Sequence, residues 1–281
     1  MPSYPSSLLT VIAGGALALA TIGGWATPGR ADTFDVTYEA PGVESANVTN
    51  LCGALGPGTC TIGVETFNEQ SVNEGGASFT TDFDIPGDVI TGTYTNVQIY
   101  PATEFGGAGG IGNFADTHSA AGYALSLSTT LTTGINYFGF WLSALDPGNL
   151  LTFYEDGVEV YQFTPADLLA LIGNCPNPYC GNPSGPFAGD DDSQPYVFLN
   201  FFDPTGPFNE IVFSENPEVG GYESDNHTVG FATGKSGTPI NAPEPGSLAM
   251  LSSGLFGLLL TRRRRAWAGS ATPDTSRPIQ P

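Results

Sequence analysis

The sequence predicts an all-β domain: an antiparallel β-sandwich of jelly-roll kind with one short helix. Three observations carry this. Short runs rich in Thr, Val, Phe and Tyr recur along residues 32–235. Clusters of Gly, Pro, Asn and Asp separate them, and the chain holds 38 Gly and 23 Pro in 281 residues. Only 12% of its residues are charged. β-Branched and aromatic side chains suit a pleated, half-buried surface, and the separating residues supply turns. With 18 Phe and 11 Tyr the chain is too aromatic for a disordered one. Its length suits one domain of about 200 residues with terminal segments.

Strands are expected at 34–39, 61–67, 77–84, 88–100, 123–130, 135–142, 149–155, 158–163, 196–202, 209–214 and 227–233. Glu155-Asp156-Gly157-Val158 joins two of these runs, and Asp-Gly at that place signals a tight hairpin. Thr164 followed by Pro165 and Asp167 opens an apolar stretch, which predicts a helix over about 165–172 with Thr164 as its cap. Residues 137–142, YFGFWL, are apolar on both faces, so they belong to a central strand covered on both sides. Trp141 is expected in the core.

Charge sets the next limit. The net charge is −21, and between Asp32 and Pro243 there are 26 acidic residues against Lys235 alone. Nucleic-acid binding needs phosphate-neutralising Lys and Arg, so it is excluded as a function class. Self-repulsion has to be relieved by solvent, salt or bound cations.

Both ends carry export signals. Residues 8–24 are apolar, small and uncharged, and two small-residue cleavage points follow, after Ala26 or after Ala31. The second is preferred because polar strand-like sequence starts at Asp32, giving a signal peptide over 1–31. The alternative is an N-terminal membrane anchor, for which the apolar run is short. At the other end Pro243-Glu244-Pro245 precedes an apolar stretch over about 246–261 and the cluster Arg262, Arg263, Arg264 and Arg265. An apolar run ended by arginines halts transfer, and the arginines stay cytoplasmic by the positive-inside rule. Snorkelling side chains extend a slightly short span.

This order of parts resembles the PEP-CTERM sorting signal of bacterial surface proteins. The resemblance implies processing near Pro243-Glu244-Pro245 by an exosortase, a membrane-embedded transpeptidase-like protease, at the inner membrane. One departure is a tail over 266–281 beyond the arginines, where such tags usually stop. The organisation expected is a surface domain over 32–238, a sorting signal over 239–265 and a cytoplasmic tail. Several stretches of the domain (36–43, 63–68, 90–114, 136–157 and 220–230) are also similar to a family of exosortase-dependent surface proteins. That similarity implies a secreted surface domain with no assigned activity.

Four cysteines, Cys52, Cys60, Cys175 and Cys180, lie in the exported part, and an even count fits an oxidising compartment. Three pairings are open. Local pairing is favoured because each pair brackets a Gly/Pro-rich loop, and each small loop closed contributes about 2–3 kcal/mol in the chain-entropy model. The spacings are wrong for zinc knuckles.

Catalytic motifs are missing. Gly107, Gly109 and Gly112 match a dinucleotide fingerprint by letter, but no βαβ unit surrounds them, and 105–114 is expected to be a flexible loop. His118 and His227 sit in no hydrolase motif and are expected on the surface or in loops. A glycosidase pair could be nominated among so many carboxylates, which makes the nomination uninformative. Surplus carboxylates suit calcium better, since Ca²⁺ takes six to eight oxygens. Three segments offer them: Glu65 with Asn68 and Glu69, Asp190 to Asp192, and Glu223 with Asp225 and Asn226. If the strands carrying Glu65 and Asp225 lie side by side, Glu65, Glu223, Asp225 and Asn226 form the expected calcium set. Tyr94, Tyr100 and Tyr222 are candidates for stacking on sugar. The function expected is a non-enzymatic surface or matrix protein. The alternatives are a carbohydrate-binding module for exopolysaccharide and a secreted hydrolase.

Overall fold

The computed structural model describes residues 32–53, 60–117, 122–218 and 220–239. The proposed signal peptide, the PEP tripeptide, the apolar stretch with its arginines and His118 lie outside the described residues. Among the described residues no helix is long and apolar enough to cross a membrane.

Thirteen strands form one antiparallel sheet: β1 (Asp35–Tyr38), β2 (Ile62–Glu65), β3 (Asn73–Thr81), β4 (Ile90–Pro101), β5 (Asn113–Asp116), β6 (Tyr123–Thr129), β7 (Tyr137–Leu142), β8 (Asn149–Glu155), β9 (Val158–Phe163), β10 (Val197–Phe202), β11 (Glu210–Glu215), β12 (Ser224–Gly230) and β13 (Thr238–Pro239). Among the described residues two α-helices, α1 (Val48–Cys52) and α2 (Pro165–Ile172), accompany the strands. The strand order is β13-β1-β10-β7-β12-β5-β4-β6-β11-β8-β9, with β2 on β12 and β3 on β4. The sheet curls into two facing layers. Phe138 and Phe140 on β7 meet Phe153 on β8 and Phe213 on β11, and Phe201 on β10 meets Phe163 on β9 at 5.0 Å. The two ends of the curl touch where the Asp32 amide donates to the Val160 carbonyl and Phe34 stacks on Tyr161. Each buried aromatic contributes about 1.5–3 kcal/mol relative to exposure, so this layer of phenylalanines is the main source of stability.

β7 and β10 are buried along their whole length. Alternation sends Phe138, Phe140 and Leu142 into the main core. Tyr137 and Trp141 go the opposite way, into two smaller outer clusters with Phe202 and Leu51, and with Phe198 and Tyr196. Gly139 between them has a packing reason. A Cβ there would strike the Tyr137 hydroxyl, which crosses the glycine to donate to Asn200 Oδ1 at 2.8 Å.

All eleven expected strands exist, with ends shifted by a few residues. β5 and β13 add to them, so the glycine-rich 105–114 segment is not wholly loop: it holds a 3-10 turn at Ala108–Gly110 and the start of β5. The Asp156-Gly157 hairpin forms with both residues at positive φ, and Glu155 pairs with Val158. α2 spans the expected residues, but Thr164 makes no side-chain capping bond. α1 was not expected. Asn47 caps it by accepting from the Asn50 amide at 3.1 Å. The structure pairs Cys52 with Cys60 and Cys175 with Cys180, with Cα–Cα separations of 5.4 and 5.8 Å.

Phe213 packs against Phe138, Phe140, Tyr123 and His227 and is fully buried. Phe213→Ala should therefore lower stability by about 3–5 kcal/mol, read as the loss of unfolding free energy in urea.

Candidate functional site

Carboxylates gather at three places. The first is an open cleft of about 720 Å³ between β2, the turn after it, and the adjoining ends of β3 and β4. Glu65, Glu69, Asp82, Asp84 and Asp88 line it together with Thr80, Thr81, Thr91 and Thr93. Glu65 is buried at 8% exposure, and its Oε1 accepts from the Phe67 amide at 2.6 Å. Burial raises its pKa, and the nearby Asp84 and Glu69 push the same way against its bonds from Thr81 and Phe67. Among the described residues no aromatic ring lines this cleft.

The second lies on the outer face beside Trp141. Asp225 pairs with Trp141 across the β12–β7 ladder, and the register then slips before Thr228. Asn226 takes a positive φ at this bulge. Asp225 accepts from the Ala108 amide at 2.8 Å and from the Asn226 amide at 2.6 Å. Glu44 accepts from the Gly109 amide at 2.7 Å and from the Ser184 hydroxyl, and Asn226 Nδ2 donates to the Glu44 carbonyl. These carboxylates cap the turn that covers the outer face. Burial, the larger cause, pushes Asp225 up to about 7 against its two backbone bonds.

The third surrounds Glu223 and Asp116, with Asp146 and Glu215 close enough to repel Glu223. Burial pushes Glu223 up, and the Asp116 carboxylate adds to it. Burial, then Glu215 and Asp191, raise Asp146 to about 6.

The expected calcium set is therefore divided. β2 and β12 do lie side by side, with Glu65 opposite His227. Yet Glu65 turns to Phe67 and Thr81, Asp225 to Ala108, Asn226 to Glu44, and Glu223 to Asp116. Backbone amides occupy oxygens of Glu65 and Asp225 that an ion would need. Among the described residues no three Asp, Glu, His or Cys side chains are arranged around one point to hold a metal. The Asp190–Asp192 segment instead engages its own loop, where Asp191 accepts from the Tyr196 hydroxyl at 2.9 Å.

Two expectations need correction. His227 is not a surface histidine. It is fully buried, stacked on Phe213 at 5.1 Å, with Nδ1 2.9 Å from the Tyr94 hydroxyl. The bulge after Asp225 turns it inward, a shift that a two-residue alternation does not reveal. Tyr94 and Tyr222 are likewise buried in the main core and offer no sugar platform. Sequence reasoning missed Glu44, Asp116, Asp146 and Glu215, since only strand pairing, for Asp116 and Glu215, and loop packing, for Glu44 and Asp146, bring them to these places.

The comparisons with known proteins bear on the C-terminus. Residues 241–265 match the family model described as the PEP-CTERM protein-sorting motif. The chain carries that motif, which marks an exported surface protein sorted by an exosortase through a membrane-held precursor. A search of solved structures found the K2 cleaved adhesin domain of Lys-gingipain (Kgp), at 16% identity, covering 60% of this chain and 99% of that one with a TM-score of 0.32. No curated protein matches the chain.

His227 gives the test of this geometry. Held at about 3, below its ordinary 6.5, it stays neutral in the fold because burial disfavours the cation. Its contribution is present above the unfolded value and is lost as pH falls toward the folded one. Asp225 acts oppositely: its folded value of about 7 gives stability that is lost as pH rises through that value. The unfolding free energy of His227→Phe relative to the parent should therefore rise as pH falls from about 7 to about 4. A constant difference across that range would contradict the buried neutral imidazole.

Proposed function

We propose that this is a non-enzymatic surface or matrix protein, exported with a signal over 1–31, held at the inner membrane by residues 246–265, and cut near Pro243-Glu244-Pro245 by an exosortase. The match of residues 241–265 to the sorting motif carries the reading. The folded part supports it in kind. It has the two disulfides suited to an oxidising compartment. Its His227 is buried among aromatic rings of the main core, with the Tyr94 hydroxyl 2.9 Å from Nδ1.

A second reading rests on the acidic, threonine-lined cleft beside Glu65. Its hydroxyls, amides and carboxylates suit a polar ligand such as exopolysaccharide, with hydrogen bonding in place of ring stacking. A pull-down of the full chain with exopolysaccharide, compared with Glu65→Gln and Thr81→Ala variants, tests it. Loss of retention in both variants supports the cleft, and equal retention removes it.

Replacing Pro243, Glu244 and Pro245 together by alanine should leave the uncut precursor in the membrane fraction, read by immunoblot after fractionation. Normal processing of that variant would overturn the assignment of the cleavage signal. Recovery of the intact parent chain as a soluble product inside the cell would overturn export itself.

A further inference from the structure

Two surface loops enclose an open groove of about 500 Å³. One precedes the Ala108–Gly110 turn and contributes Glu104 and Phe105. The other surrounds a second 3-10 turn, Gly185–Phe187, and contributes Phe187, Asp190 and Asp191. Phe105 is 45% exposed, and among the described residues no other phenylalanine is as open to solvent. In a domain that buries its aromatic rings so thoroughly, a phenylalanine left at the rim of a groove marks a contact surface.

Both walls are fixed from beneath. The Thr103 amide donates to the Gly106 carbonyl at 3.0 Å and closes the turn that carries Glu104 and Phe105. Asn182 is buried between the loops. Its Nδ2 donates to the Glu104 carbonyl at 3.0 Å, and its backbone exchanges bonds with Gly189 and Asp190. The buried Tyr196 hydroxyl lies 2.7 Å from the same Glu104 carbonyl and 2.9 Å from Asp191 Oδ2. A groove held this way loses little freedom when it is filled.

The lining is chemically one-sided. Its side chains are bare rings or hydrogen-bond acceptors, and none is a donor. The amides of Phe105, Phe187 and Asp190 are spent inside the turns, on Thr103 Oγ1, the Ser184 carbonyl and the Phe187 carbonyl. Burial raises the pKa of Asp191, its bonds from Tyr196 and Ser193 oppose that, and the charges of Asp192 and Glu104 add to the rise. Glu104 and Asp191, from opposite walls, thus feel each other. No lysine or arginine lies within residues 32–234, and Lys235 is paired with Asp35.

A fitting ligand therefore brings donors, positive charge and an apolar face. A peptide brings a carbonyl with nearly every amide, and neither loop carries a strand whose edge could take them. A glycan bearing uronate or sulfate brings the wrong charge. A pyranose bearing an ammonium group meets all three demands: its C–H face lies on a ring, its hydroxyls donate to carboxylates, and its cation is drawn to both carboxylate and ring. We propose that the Phe105–Phe187 groove binds an amine-bearing sugar, as one unit of a glucosamine-type polysaccharide. The groove is built from other loops than the cleft beside Glu65 and does not depend on what that cleft binds.

The test is calorimetric titration of the full chain with a β-1,4-glucosamine hexamer. The N-acetylated hexamer, an oligogalacturonate and an oligolysine are compared at the same ionic strength. The glucosamine hexamer should bind, and the acetylated and anionic oligomers should bind at least tenfold more weakly. Phe105→Ala keeps every charge, so a loose attraction of any polycation to this acidic chain would survive it. Binding in the groove should instead weaken about tenfold. Glu104→Gln combined with Asp190→Asn, both exposed positions, should weaken it as much. Val158→Ala, at an exposed apolar residue elsewhere, and Glu69→Gln, in the cleft, should bind like the parent. Equal affinity in Phe105→Ala and the parent would overturn the site, as would a loss confined to Glu69→Gln. Oligolysine binding as tightly, with the same dependence on Phe105, would make the occupant a basic peptide and overturn the sugar. Should Phe105→Ala fail to fold, unchanged affinity in Phe187→Ala would do the same.

Discussion

The constraint on which this domain depends is the burial of β7 and β10 on both faces. An antiparallel sheet usually leaves one face wet and alternates accordingly. Here Tyr137, Trp141, Phe198 and Phe202 occupy the face that would be wet, so something must cover them. The cover is built from short, irregular pieces: α1 with its disulfide, the 3-10 turn at Ala108–Gly110, and the loop around Ser184. Such pieces leave backbone amides without ladder partners, and those amides must be satisfied in place.

Carboxylates answer that need. Asp225 takes the Ala108 amide, Glu44 the Gly109 amide, Glu65 the Phe67 amide and Asp116 the Tyr222 amide. A chain with 26 acidic residues and one lysine in its exported part cannot build ion-pair networks. It spends its buried carboxylates on backbone N–H groups instead, which are dipoles strong enough to hold a charge part-way out of water. Where the amides run short, around Glu223 and Asp146, burial and mutual repulsion favour the protonated forms.

Much of the architecture was legible in the sequence, for a physical reason. Runs such as 149–155 and 158–163 combine β-formers with a turn that admits one geometry, so local chemistry alone defines them. YFGFWL announced its double burial because no polar residue interrupts it. β5 escaped notice because it is four residues long and lies inside a glycine-rich stretch. The sites were less legible. His227 reads as a loop histidine until the bulge at Asn226 turns it inward, and Asp116 meets Glu223 only through pairing between strands more than a hundred residues apart in the chain. Register, rather than composition, creates both.

The two outermost segments of the folded part lie against each other, since β13 pairs with β1 through Thr37 and Pro239 and through Tyr38 and Thr238. The sorting motif begins two residues after β13 ends. A pull arriving from the cell envelope would therefore load this two-residue edge strand before anything else. It would peel away first, as a short mechanical fuse, lengthening the tether while the aromatic interior stayed intact.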